Sequence, residues 1–326
     1  MKALVTGATG FIGSIIVRDL LRHGHTVRAL VLEGEDAGPL KNSGVEIRRG
    51  DLVKKDTLQG LCDGIDTVFH SAARVTDWGT RKQFYAAILD ATRNLVDESA
   101  GRVQRFVFLS SIAALGFGRH LKGALETDPP RKSGIPYNDA KADAENFCMA
   151  CHREGKIACT IVRPANVTGP GSVWVRDIVD RMLTLAGVPL MDGGRHSSSF
   201  VSVDSLVDGI IRAGTMDIAA GKTYQFRDDW DVSWKRYIED VGAFIGKKPR
   251  GNVPFRVAWV AGSVMEKLLT PLNIRPPVTR LAAAVMGRNN DVDCSLAKTD
   301  LGWKTTLPYE AAMKNIGEWI STRYST

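Results

Sequence analysis

Residues 2–24 read KALVTGATGFIGSIIVRDLLRHG. A short apolar run leads into three glycines spaced by two residues, Gly7, Gly10 and Gly13, and an apolar–polar rhythm then continues to Gly24. The rhythm of SIIVRDLLRHG is that of a helix with one buried face, closed by a glycine. A strand, a glycine turn and a helix in that order place unpaired backbone N–H groups and the positive end of a helix dipole at the turn. Gly7 permits the tight turn, Gly10 lets the backbone approach a pyrophosphate, and Gly13 lets the helix lie close on the strand. The spacing, in this strand–turn–helix setting, predicts dinucleotide binding.

The pattern repeats outward from this unit. Residues 25–32, 45–52, 66–73, 103–111 and 157–166 read as further buried strands. Helical stretches fall between them: a short one at 58–64, a long one at 81–100 and another after Pro136. Strands alternating with helices predict an α/β fold with a doubly wound parallel sheet of the Rossmann type. After about residue 166 helices alternate with short strands, SSFVSV and KTYQFR. Two apolar helical stretches follow, FRVAWVAGSVMEKLL and VTRLAAAVMG, separated by TPLNIRPP. The expected division is a dinucleotide-binding domain at 1–166 and a smaller, mostly helical substrate-binding lobe at 167–326, with some of its segments returning to the sheet.

The 326 residues are 44% hydrophobic and 24% charged, the balance of a soluble globular protein. A net charge of +7 favours anionic partners such as dinucleotides, carboxylates or an anionic membrane surface. The densest basic run is GKKPRG, too sparse to predict nucleic-acid binding. Five cysteines, an odd number, do not suggest a disulfide framework. Cys148 and Cys151 form a C-x-x-C inside a predicted helix with no second pair, so no metal is expected. A strand that begins with the chain, without a leader, and no apolar run of roughly 20 residues lead to the expectation of a reducing, cytoplasmic location.

SGIPYNDAKADAE, residues 133–145, carries Tyr137 and Lys141 one helical turn apart, on one face. Ser110 and Ser111 stand at the carboxyl end of the strand at 103–111. Ligands of open α/β sheets lie at that edge. Interconverting a ketone and an alcohol moves a hydride and a proton. A phenol, ordinarily near pH ~10, can handle that proton if a neighbouring ammonium stabilises its anion. A serine hydroxyl can hold the carbonyl oxygen. At the end of the second strand, Glu33 would repel a 2′-phosphate, which favours NAD over NADP. Asp51, in GDL after the third strand, either reaches the adenine amino group or caps its own turn.

The glycine loop, GDL at 50–52, HSAA at 70–73, SSIAALG at 110–116, YNDAK at 137–141 and RPANVTGPG at 163–171 resemble the extended short-chain dehydrogenase/reductases. FVSVDSLVDGI and LGWKTTLPYEAAMKNIGEWI carry the likeness nearly to the end. ARVTDWGTRKQFY and the apolar helices at 255–287 resemble the 3-beta-hydroxysteroid dehydrogenase-like branch, which includes sterol dehydrogenases and reductases of long-chain 3-keto acids. The resemblance implies Tyr137 as proton donor and acceptor, Lys141 as the group that lowers its pKa and binds the nicotinamide ribose, and Ser111 as the residue that orients substrate. It further implies dinucleotide contacts from Thr9, Phe11, Ile12, Leu52, Ser71, Ala72, Ala73 and Pro164. A homodimer built from the helices at 81–100 and 137–154 is expected, with small residues such as Ala86, Ala87, Ala140 and Ala144 on them.

Two positions depart from the family pattern. Ile88 stands where an asparagine would relay protons, and Ser198, Ser199 and Phe200 replace the R-D-[FY] whose arginine grips a sugar-nucleotide diphosphate, with Arg195 three residues too early. The leading expectation is an NAD(P)-dependent oxidoreductase acting on a secondary alcohol or ketone of an apolar small molecule, either sterol-like or a long-chain 3-keto or 3-hydroxy acid. A nucleotide-sugar 4-epimerase and an NAD(P)-sensing binding protein are the alternatives. The helices at 255–287 either bury their own faces as a lid, wall a substrate tunnel, or lie against a membrane.

Overall fold

The computed structural model describes residues 1–41 and 43–324. Seven strands form one parallel sheet: β1 (Lys2–Thr6), β2 (Thr26–Val31), β3 (Glu46–Arg49), β4 (Thr67–His70), β5 (Arg105–Leu109), β6 (Cys159–Pro164) and β7 (Thr223–Phe226). Their order across the sheet is β7-β6-β5-β4-β1-β2-β3, which reverses direction at β1. The crevice at such a reversal is where doubly wound sheets bind ligands.

The inner strands are mainly apolar because both faces are covered, whereas the edge strand β3, EIRR, is charged and partly exposed. Successive residues point to opposite sides. Ala3 and Val5 of β1 join one core with Phe69, Val107 and Val162, under α1 (Phe11–Arg22) and α6 (Val203–Thr215). Leu4 joins the other with Val68, Phe106, Phe108 and Ile161. That second core lies under α2 (Arg81–Tyr85), α3 (Ala91–Ser99) and α4 (Pro136–Arg153). β7 and α6 belong to the chain after residue 166 yet pack into the sheet layer, so the lobes interleave.

The stretch expected as one helix at 81–100 is divided. α2 ends at Tyr85, a wider π turn runs over Ala86–Asp90, and α3 follows. The expected helix at 58–64 is a series of turns, with one 3-10 turn ahead of it at Lys55–Leu58. Gly60 and Gly64 take left-handed backbone conformations there, which stops a helix. Beyond the sheet, α5 (Val173–Met182), α7 (Trp234–Ala243), α8 (Phe255–Leu269) and α9 (Arg280–Gly287) form the helical part of the second lobe. α10 (Ser295–Leu301) and α11 (Tyr309–Tyr324) complete the chain's described helices. No helix among the described residues is long and apolar enough to cross a membrane.

Candidate active site

A cavity of about 960 Å³ runs along the carboxyl edge of the sheet into the second lobe. Its first end is the glycine loop. Gly7 has φ +68°, and the carbonyl of Gly7 accepts from the Gly10 N–H at 3.0 Å. A Cβ at Gly13 would stand 2.0 Å from the Gly7 carbonyl oxygen. The close contact of helix and turn therefore requires a bare backbone there. No side chain caps α1, whose first residue Phe11 lines the cavity with Thr9, Gly10 and Ile12. These unpaired donors fit a dinucleotide pyrophosphate.

Asp51 and Leu52 line the same end. Asp51 Oδ1 accepts from the Val53 N–H at 3.0 Å, so the side chain caps its turn while also facing the cavity. Glu33 does not line the cavity; it is exposed in the turn that follows β2. The turn closes with a hydrogen bond from the Glu35 N–H to the Leu32 carbonyl at 3.2 Å and brings Glu35 back instead. Glu35 Oε1 accepts from the Thr9 hydroxyl at 2.6 Å, and Glu35 lines the cavity. Of the two carboxylates that follow β2, Glu35 rather than Glu33 faces the cavity. Register along a strand cannot foresee a turn that folds the chain back by two residues.

Ser71, Ala72, Ala73 and Pro164 form the floor. The Ser71 hydroxyl donates to the Thr6 carbonyl at 2.6 Å. Beneath it lies buried His70. Thr92 donates to the Ile88 carbonyl at 2.5 Å, so its oxygen accepts from His70 Nε2–H at 3.0 Å. That leaves Nδ1 to accept from the Thr6 hydroxyl at 2.8 Å. The ring is held neutral, its pKa driven down to about 3 by burial and by the Lys141 charge. A lowered pKa means that protonation favours the unfolded chain, so stability is full above the ordinary pH of ~6.5 and is lost as pH falls toward 3. Between pH 7 and pH 5, His70 is expected to account for about 2 kcal/mol of lost stability. His70→Asn should therefore be less stable at pH 7 but show a flatter decline in urea-melt stability. Parallel declines for the variant and the natural chain would refute this account.

At the centre stand Ser110, Ser111, Tyr137 and Lys141, all lining the cavity. Pro136 occupies the first turn of α4, where its missing N–H costs nothing. Asp139 Oδ1 accepts from the Ser133 and Gly134 N–H groups at 2.8 and 3.1 Å and fastens the entry loop to the helix. Tyr137, in the same first turn, packs edge-on against Phe84 at 6.0 Å between ring centroids. Ser111 Oγ accepts from the Ala113 N–H at 3.1 Å, and its hydroxyl acts on the phenol in the direction that favours the phenolate. Ser110 Oγ is buried and has no hydrogen-bond partner among the described residues. Ile88 is buried and does not line the cavity; Ala87 and Ala91 do.

Burial pushes the Tyr137 phenol up to about 12, opposed by the Ser111 hydroxyl. That direction is opposite to the one expected from the Tyr137–Lys141 spacing alone. Lys141 is itself buried, its Nζ donating to the Leu109 carbonyl at 2.6 Å, and burial lowers its pKa to about 8. Glu145, one turn on, counters that lowering. Glu145 is in turn gripped by Arg163, with contacts of 3.0, 3.0 and 2.7 Å, both side chains buried. This pair locks α4 to β6 and fixes where Tyr137 and Lys141 stand.

The far end of the cavity is formed by Trp174, Ile178, Val188, Trp234, Val285 and Met286. Four arginines join it: Arg74, Arg176, Arg181 and Arg275. Arg275 is paired to Asp77 and Asp177 at 3.2 and 3.1 Å. Among the described residues, Arg74 has no carboxylate partner; its Nε is buried and unpaired, and its guanidinium lies 5.8 Å from the Phe84 ring. Glu35, Arg74 and the Arg163–Glu145 pair were not singled out from the sequence. Only the last had a visible signal, Glu145 standing four residues after Lys141.

Residues 3–225 match the model of the NAD dependent epimerase/dehydratase family. The chain is 28% identical over 319 residues to a 4-hydroxy-2-methyl-3-oxo-4-farnesyl-3,4-dihydroquinoline-1-oxide ketoreductase of Stigmatella aurantiaca, covering 96% of this chain and 95% of the relative. It is 28% identical over 346 residues to a 3-beta-hydroxysteroid dehydrogenase of Mycolicibacterium neoaurum, covering 100% and 93%. Its fold matches a Thermus thermophilus UDP-glucose 4-epimerase solved with NAD, at a TM-score of 0.78 and 21% identity over 99% of this chain and 100% of that one.

Proposed function

The chain belongs to the NAD dependent epimerase/dehydratase family, and from that premise we propose that it is a nicotinamide-dependent oxidoreductase that interconverts a ketone and a secondary alcohol on an apolar, acidic small molecule. The observation that carries this reading is the meeting of Ser110, Ser111, Tyr137 and Lys141 in one cavity whose far end is aliphatic and indole. The nicotinamide, when bound, accepts or supplies the hydride. The chain's own residues do the rest. Tyr137 gives the proton to the carbonyl oxygen or takes it from the alcohol. Ser111, whose hydroxyl favours the phenolate, holds that oxygen, with Ser110 beside it lining the same cavity. Lys141 is the cation of the site and would hold the nicotinamide ribose. Its lowered pKa makes the loss of that cation above pH about 8 the basic limit of turnover.

Glu35 supports NAD over NADP as the cofactor. It occupies the end of the cavity beside Thr9, where a 2′-phosphate would meet its charge. Glu35→Ser is expected to narrow the ratio of kcat/KM for NAD over NADP by at least about tenfold. An unchanged ratio would remove Glu35 from cofactor choice.

The relatives act on molecules whose names carry a farnesyl group and a steroid, both large and apolar. An acid group on this chain's substrate is supported by Arg74, the unpaired guanidinium that shares Phe84 with Tyr137. The test compares 3-hydroxy acids of four and twelve carbons and the methyl ester of the longer one. Each buried methylene contributes about 0.8 kcal/mol. The longer acid should therefore be preferred by at least about a hundredfold in kcat/KM, and Arg74→Gln should erase the preference for acid over ester. A flat chain-length profile would defeat the apolar-cavity reading.

Neither Ser198 nor Ser199, which stand where a sugar-nucleotide enzyme carries its arginine, lines the cavity, and both are buried. Arg195 is exposed outside it. These positions weigh against a nucleotide sugar. The reading includes a homodimer through α2, α3 and α4. Ala140 and Ala144 are buried inside the chain, so larger outward residues such as Phe147 would form that contact.

A further inference from the structure

α8 turns one face to its neighbour and one to solvent. Phe255, Ala258 and Gly262 are buried. A Cβ at Gly262 would stand 2.9 Å from the backbone of Thr279 and Arg280, so α8 lies directly on the start of α9. Val257, Val260, Val264 and Leu268 form the opposite face and are 51–64% exposed. At about 100° per residue, these four fall within an arc of about 80°. The stripe does not stop at the helix end, since Leu272 and Ile274 in the next loop are 67% and 49% exposed.

The exposed charges of α8 and of the segment leading into it are of one sign, while Asp177, beside the loop that continues the stripe, is paired to Arg275. Arg256 and Lys267 are exposed along its edge. Lys247, Lys248 and Arg250 are exposed in the segment that leads into the helix. The one acid of α8, Glu266, lies on the inner side, where it accepts from Arg280 N and Nε at 2.6 and 2.8 Å. An aliphatic stripe edged by cations and free of outward carboxylates has the anatomy of a helix that lies in the plane of an anionic bilayer.

The stripe also leads to the cavity. Arg275 lines the cavity directly after Ile274, and Val75 and Val173, also exposed, line it too. We propose that the outer face of α8, with Leu272 and Ile274, seats this enzyme on the surface of an anionic lipid bilayer, with the substrate cavity opening toward the lipid. The seat and its charge follow from the surface alone; the delivery of substrate from the lipid rests on the apolar-substrate reading above. A chain with net charge +7 is drawn to such a surface at low salt.

The experiment sediments the full chain with sucrose-loaded vesicles of phosphatidylcholine alone and of phosphatidylcholine mixed with phosphatidylglycerol. Binding to the mixed vesicles, weakened by salt, is expected. Val260→Glu with Val264→Glu should lower it by at least about tenfold while leaving thermal melting and turnover of a short soluble substrate unchanged. Equal sedimentation of the variant and the natural chain, or none with either lipid, overturns the proposal. Equal sedimentation with the two compositions removes the anionic head group from it. Light scattering covers the remaining occupant: a variant half the mass of the natural chain would mean that a second copy, not lipid, covers the stripe. Sedimentation is read without turnover, so a wrong substrate class leaves this result standing, and a failed seat leaves the oxidoreductase reading intact.

Discussion

Tyr137→Phe is expected to lower kcat by at least about a hundredfold, the usual worth of a positioned general acid, while the affinity for NADH stays within about threefold. The substitution removes one oxygen. Phe84 still packs edge-on against the ring, and Pro136 and Asp139 still fix the first turn of α4. What is lost is the hydroxyl proposed as proton donor, beside the Ser111 hydroxyl that acts on it. Dinucleotide fluorescence and steady-state rates, measured on one preparation, separate binding from chemistry. A variant that retained more than about a tenth of the rate would place the proton transfer elsewhere. A concurrent loss of NADH affinity would make Tyr137 a binding residue.

Gly13→Ala should abolish measurable dinucleotide binding, a fall of at least about a hundredfold in affinity. The added Cβ would lie 2.0 Å from the Gly7 carbonyl oxygen and 2.7 Å from its carbon. Both are backbone atoms of the turn that lines the cavity, and neither can swing away as a side-chain tip could. The start of α1 must move off β1, and the N–H groups at its N-terminus move with it. Gly24→Ala supplies the contrast: Gly24 has a left-handed backbone, but its Cβ would meet nothing within 4 Å. It should lose some stability and keep its cofactor. Titration of the three proteins with NADH, with circular dichroism to show that each is folded, decides the matter. Comparable affinity for Gly13→Ala and the natural chain would mean that the turn is not the phosphate site.

The Rossmann sheet was legible because its inner strands are buried on both faces and therefore read as mainly apolar runs between periodic helices. Gly7 and Gly13 were legible because their role is local: a tight turn and a close contact seven residues long at most. Tyr137 and Lys141 were legible for the same reason, being one helical turn apart. Glu33 and Glu35 show where such reasoning stops. Both follow β2 and both are carboxylates, and only the folded turn, with Thr9 donating across it, selects the second.

The pKa order of the site lay beyond the sequence altogether. Spacing shows that an ammonium can stand near a phenol, but not how much water either retains. In the folded chain desolvation prevails at both groups, pushing Tyr137 up and Lys141 down. The buried Arg163–Glu145 pair and the orphan Arg74 are likewise products of tertiary packing, joining positions 18 residues apart in one case and leaving a cation without a partner in the other.

The sequence by itself determined the sheet, the phosphate turn and the Tyr137–Lys141 face, since each depends on contacts within a few residues and on periodicity along one element. Tertiary packing alone selects the carboxylate that faces the cavity, strips water from particular groups and leaves one face of α8 bare. Those outcomes depend on how distant elements exclude solvent from one another, and burial is a property of the packed chain rather than of any stretch within it.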